Sequence, residues 1–95
     1  MSITFLHEFV AVPDRADDLR ATLHSLLPTF EQAPGCVSCQ LLQSSDNAAR
    51  FIVMAVWADR DAHERAVEAM PLDVLHRAMS LVAEMPRGGV WADRS

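Results

Sequence analysis

The sequence predicts an α+β domain whose elements follow the order β-α-β-β-α-β on one antiparallel sheet. Three observations carry this. Segments 3–12, 36–44 and 51–58 have the composition and alternation of strands. Between the first two, the apolar period changes to that of a helix. Two of the strands are apolar on both faces, which marks them as the centre of a sheet.

The first strand is ITFLHEFVAV, residues 3–12. One face carries Ile3, Phe5, His7, Phe9 and Ala11, and the other Thr4, Leu6, Glu8, Val10 and Val12. The helix that follows places Ala16, Leu19, Leu23, Leu26, Leu27 and Phe30 on one stripe. Asp14, Asp17 and Asp18 are expected in its first turns, where the helix dipole favours acids. Pro28 is expected to kink its end, and Ala33-Pro34-Gly35 to stop it. CVSCQLLQS, 36–44, reads as an edge strand, and SSDNAAR, 44–50, as a hairpin turn. In FIVMAVWA, 51–58, Phe51, Val53, Ala55 and Trp57 share a face, with Ile52, Met54 and Val56 on the other.

A short helix is predicted over 59–70, with Asp59 as N-cap. Pro71 suits the first turn of another, whose apolar face carries Leu72, Leu75, Met79 and Val82. RGGVWADRS, 87–95, supplies a short last strand. This is the ferredoxin-like split βαβ order, with strands one and three central. Helices can cover only one side of such a sheet. The simplest cover for the other is the sheet of a second copy, so a homodimer is expected.

The bulk numbers agree. A 95-residue chain is one domain, 1–95, and a monomer of that size buries only about 60–65% of its unfolded surface. Yet 51% of the residues are hydrophobic. The net charge of −5, without a cluster of Lys and Arg, argues against nucleic acid and anionic membranes as partners. The N-terminus lacks the pattern of a secretory signal, and the apolar run 51–58 is too short to span a bilayer. With two cysteines, a reducing cytoplasm is the expected location.

Cys36-Val37-Ser38-Cys39 has the spacing of a redox dithiol or half a zinc site. On a regular strand the two side chains point to opposite faces, which precludes an unstrained disulfide. A redox pair of this type sits at a helix N-terminus, and structural zinc needs about four ligands. The expectation is two structural strand cysteines and no metal site.

APGCVSCQLLQS, followed by RFIVMAVWADRDAHERAV, resembles the antibiotic biosynthesis monooxygenase family. The likeness rests on a long first helix ending in a Pro34-Gly35-Cys36 turn, and on a third strand ending in Trp57-Ala58-Asp59 before a helix. It runs from about residue 3 to about 85. It implies a dimeric α+β barrel with a cleft in each protomer, and a cofactor-independent monooxygenase of a small aromatic or quinol-type molecule. Non-catalytic binding of a small molecule, and haem binding or degradation, are the alternatives. The chain departs from the family pattern at Ala66, where many members carry His, and at Met70-Pro71-Leu72, where many carry Ser-Pro-His. It also has no tyrosine.

Within this frame, His7 is the candidate base, mid-strand between two phenylalanines, and with a pKa near neutrality it would accept a proton from a phenol. His76 is the second candidate catalytic residue. It borders the apolar face of the last helix, at what corresponds to the iron-ligating position of haem-degrading relatives. Those relatives also use a Trp where this chain has Ala66, and an Asn on the first strand, which this chain lacks. Trp57, Met54, Phe5, Phe9, Leu72 and Met79 are the candidate binding residues, with Met70 beside them. His24 and His63 read as helix-surface residues, and Arg50 as a turn residue able to meet an anion.

Overall fold

The computed structural model describes residues 2–92 and 94. Among these the elements are β1 (Ile3–Val10), α1 (Ala16–Glu31), β2 (Cys36–Gln43), β3 (Arg50–Trp57), α2 (Arg60–Glu68), α3 (Leu72–Ser80) and β4 (Arg87–Ala92). The strands form one antiparallel sheet in the order β2-β3-β1-β4, so the two strands that read apolar on both faces are central. Of the segment expected as the last strand, residues 93 and 95 lie outside the described residues.

The β1–β3 ladder sets the register. It pairs Phe5 with Ala55, His7 with Val53 and Phe9 with Phe51, all on the face that the helices cover. Two packed clusters form on that face. One joins Phe51 to Leu19 and Leu23 of α1 and to Ala78 and Leu81 around α3. The other joins Phe5, Ala55 and Trp57 to Ala62 and Ala66 of α2. Trp57, Phe51 and Leu19 are fully buried, each contributing about 1.5–3 kcal/mol or more of transfer free energy.

The opposite face holds Leu6 and Glu8 of β1, Ile52, Met54 and Val56 of β3, Leu42 of β2 and Trp91 of β4. Leu42 is 47% exposed and Trp91 60%. Glu8 and Arg50 form an ion pair there, so Arg50 is spent on the sheet and points away from the helices.

Local chemistry explains the boundaries. Val12 to Arg15 is a turn closed by the Arg15 N–H donating to the Val12 carbonyl at 3.1 Å. Asp14 stands at its third position with φ +67°, so it precedes the helix instead of joining its first turn. Asp17 and Asp18 occupy that turn as expected. Asp59 caps α2, accepting from the Ala62 N–H at 2.8 Å. In the β2–β3 hairpin, Ser44 Oγ accepts from the N–H groups of Asp46 and Asn47.

Gly35 is where α1 hands over to β2. Its φ is +88°, and a Cβ there would stand 2.5 Å from the Cβ of Ala62. Its carbonyl accepts from the Ala58 N–H at 2.8 Å, just before α2. Gly35→Ala therefore meets both a left-handed backbone and a clash with α2. It should lower stability by about 2 kcal/mol or more, read as a shift of the urea midpoint at unchanged slope.

Candidate functional site

A cavity of about 350 Å3 opens between the two packed clusters, on the helix side of the sheet. The sheet contributes His7, Phe9, Val53, Ala55 and Trp57. From α1 come Leu23, Leu26, Leu27 and Phe30, the stripe expected from its period. α2 and the residue after its cap add His63, Val67 and Met70, spaced i, i+4, i+7 on one side of the helix. Leu75, Ala78 and Met79 of α3, with Pro86, complete the wall.

The wall is hydrocarbon except at the two imidazoles and the Trp57 indole. His63 stacks on Phe5 with ring centroids 3.6 Å apart and planes 10° apart. His7, two residues along β1, has its ring 6.2 Å from that of His63, with planes 14° apart. Burial lowers the pKa of His7, and burial followed by the proximity of His7 lowers that of His63. Both rings are therefore biased to the neutral form, which can accept a proton. Trp57 meets the edges of Phe30 and His63, at centroid distances of 6.1 and 5.5 Å. Its buried indole N–H has no hydrogen-bond partner among the described residues, contrary to the backbone partner expected of a core tryptophan.

Of the residues singled out from sequence, His7, Phe9, Trp57 and Met79 line the cavity, and Met70 with them. Phe5 lies behind the wall as the support for His63. Three others stand elsewhere. Met54 is on the far face of the sheet, because strand side chains alternate and Ala55 and Val53 face the cavity. Leu72 is 66% exposed: it is the first residue of α3, and helical side chains lean toward the N-terminus, so it projects off the end. His76 is exposed and outside the cavity wall, since Leu75, Ala78 and Met79 define the packed side of α3 and residue 76 turns away from it. The expectation of Val82 on that helix also fails, because α3 ends at Ser80 and Val82 bridges to Ala11 instead.

His63, expected on the helix surface, lines the cavity instead. The signal that would have found it is its spacing with Val67 and Met70.

The cysteines also differ from expectation. A bulge at Val37 puts Cys36 opposite Trp57 and Cys39 opposite Ala55, so both lie on the helix-side face. They remain free thiols. Burial first, then the neighbouring thiol and Glu31, pushes Cys39 up to about 11, and Cys36 is raised too, so both are poor nucleophiles at neutral pH. Among the described residues, no three His, Cys, Asp or Glu side chains group as a metal site.

A sheet backed by α1, α2 and α3 around such a cavity matches a known family. The model of the antibiotic biosynthesis monooxygenase family matches residues 3–72. The chain belongs to this family. Among solved structures, it is similar to SnoaB, a cofactor-independent oxygenase from Streptomyces nogalater, at 25% identity over 99% of this chain and 94% of that one, with a TM-score of 0.85. Rv0793 from Mycobacterium tuberculosis is 21% identical over 100% and 97% of the two chains, with a TM-score of 0.88. PA3566 from Pseudomonas aeruginosa is 20% identical over 99% and 95%, with a TM-score of 0.89. No curated protein matches the chain by sequence. The likeness in structure thus extends through β4, beyond the residues that the family model matches. No helix among the described residues is long and apolar enough to cross a membrane.

The two lowered imidazoles make stability depend on pH. Below the ordinary histidine value of 6.5 the unfolded chain binds protons more readily than the folded one. The histidine contribution is therefore complete above pH 6.5 and is lost as pH falls through the folded values. Thermal melts from pH 7.5 down to 4.5 should show Tm falling less steeply in a His7→Gln, His63→Gln double variant than in the unchanged protein. Parallel curves would contradict this.

Proposed function

We propose that this protein is a homodimeric monooxygenase that oxidises a small phenolic or quinol-type aromatic molecule without a metal or organic cofactor. The observation that supports it best is the cavity: a hydrocarbon wall shaped for a flat apolar body, with two neutral imidazoles close together. Such a site suits a ligand that carries its oxygen at one edge. A volume of about 350 Å3 falls at the small end of ordinary ligand cavities. Family membership, and the likeness to an oxygenase described as cofactor-independent, support the same chemistry.

In this reading His7 accepts the phenolic proton, and His63 holds the same oxygen from the other side. The resulting anion is electron-rich at a ring carbon and passes one electron to O2. Recombination of the two radicals forms a carbon–oxygen bond and, on protonation, a hydroperoxide. Loss of the C–H proton with cleavage of the O–O bond leaves a ring carbonyl and water. One oxygen atom enters the product, the other leaves as water, and the substrate supplies all four electrons. The protein contributes a proton acceptor, orientation and a dry pocket.

His7→Ala and His63→Ala should each lower kcat/KM about 100-fold on any phenol that the unchanged protein turns over, measured as O2 uptake. Full turnover by the double variant would falsify the assignment. The second reading, a binding protein without catalysis, is favoured by the absence of any tyrosine. Tight binding of a phenol with no O2 uptake would establish it.

The far face of the sheet supports the dimer. Leu6, Leu42, Ile52, Met54, Val56 and Trp91 have no helix over them, and a second copy of the same face is their natural cover. A stable interface of this kind buries at least about 1,200 Å2 in total. Sedimentation should give a dimer for the unchanged protein and a monomer for Met54→Lys, which sets two like charges into that face. A monomeric unchanged protein at micromolar concentration would overturn the dimer. The expected location remains the cytoplasm.

A further inference from the structure

His7 faces Gly88 directly across the β1–β4 ladder. Directly opposed side chains on a sheet ordinarily stand side by side, with Cβ atoms about 4.5–5.5 Å apart. Here a Cβ at position 88 would lie 3.1 Å from His7 Nδ1 and 3.4 Å from its Cε1. The imidazole therefore leans over the glycine and takes the space that a side chain would fill. A glycine inside a strand is destabilising relative to alanine, so the position calls for a reason. Gly89 is different: a Cβ there would meet Trp91 Nε1 at 3.0 Å, on the other face.

The lean decides how the two imidazoles stand to each other. A ring nitrogen lies about 1.1 Å from its centroid and a hydrogen bond spans about 2.8 Å, so one oxygen can serve two rings whose centroids are up to roughly 7.8 Å apart. His7 and His63 are 6.2 Å apart. A side chain at position 88 would press on the Nδ1 edge of the His7 ring, which would have to give by a few tenths of an ångström and so shift against His63. His7 and His63 are the titratable groups that line the cavity among the described residues. Glu8 and Arg87, the next residues on β1 and β4, stand opposite each other in the ladder on the other face of the sheet.

We infer that Gly88 is a positioning residue: it holds His7 where a single ligand oxygen bridges the two imidazoles. The inference rests on the proposed reading of the cavity, and deepens it by naming a residue beyond the span that the family model matches.

The test uses Gly88→Ala, with Gly89→Ala as the control that leaves the cavity side untouched. Both positions are on an exposed edge strand, and circular dichroism confirms the fold of each. NMR titration of the imidazoles in ligand-free protein reads the positioning. Calorimetry with 1-naphthol and with naphthalene, at pH 7.5, reads the oxygen. In Gly88→Ala the new methyl covers Nδ1, so His7 should titrate at lower pH than in the unchanged protein. Naphthalene should bind within about twofold of its original affinity, while naphthol loses about fivefold of its advantage over naphthalene, the worth of one hydrogen bond. Gly89→Ala should change neither readout.

Unmoved titrations of His7 and His63 in Gly88→Ala overturn the inference, whatever the ligands do. The same shifts in Gly89→Ala also overturn it, because the effect would then be general damage to the edge strand. If naphthol has no advantage over naphthalene in the unchanged protein, the proton-acceptor reading of the cavity fails, and the bridging oxygen fails with it. Should Gly88→Ala not fold, Gly88→Ser is put through the same titrations and judged by the same criteria.

Discussion

The pairing of β1 with β3 is the constraint on which the rest of the structure depends. Each strand is apolar on both sides, so each must be central, and their register settles which residues share a face. A slip of one residue would send His7, Phe5 and Phe9 to the far side and bring Glu8 and Thr4 under the helices. The hydrophobic cost of that exchange is what specifies the register. With it set, Trp57 and Phe51 each anchor a cluster, and His7 falls in the interval between them.

That interval is the origin of the cavity. α3 packs on one cluster and α2 on the other, while α1 reaches both, through Leu19 and Leu23 at one and Phe30 at the other, and spans the gap between them. Alanines at 62, 66 and 78 bring the helices close to the sheet at its two ends. The space between is lined by long flexible side chains such as Leu27, Met70 and Met79. The same spare area that would weaken a small monomer becomes, in this arrangement, the place where a ligand can be held.

Much of the site was legible from sequence because strands and long helices have strict periods. Phe5, His7, Phe9 and Trp57 follow from alternation alone, and the α1 stripe from its 3.6-residue period. Most of the misplaced residues owe it to local geometry at the ends and breaks of elements; Met54 does not, since alternation alone sets it on the face opposite to Val53 and Ala55. Leu72 fits the helical stripe by angle but sits at the first residue. Cys36 and Cys39 fit alternation until the bulge at Val37 shifts the phase by one. His76 and His63 lie on short helices of nine residues each, where a period cannot by itself say which side meets the sheet. Asp14 counts as part of the helix until the turn beside Pro13 excludes it.

The sequence by itself determined the element order, the two central strands, the apolar character of both sheet faces and the placing of His7 among phenylalanines. These are properties of neighbours along the chain, where spacing and side-chain chemistry suffice. Only the tertiary structure decided that His63 is the partner of His7, and that the glycine opposite His7 makes room for its ring. Both depend on how far β4 and α2 stand from β1. That distance is set by packing between segments far apart in sequence, His63 and Gly88 standing 56 and 81 residues after His7, which no local pattern records.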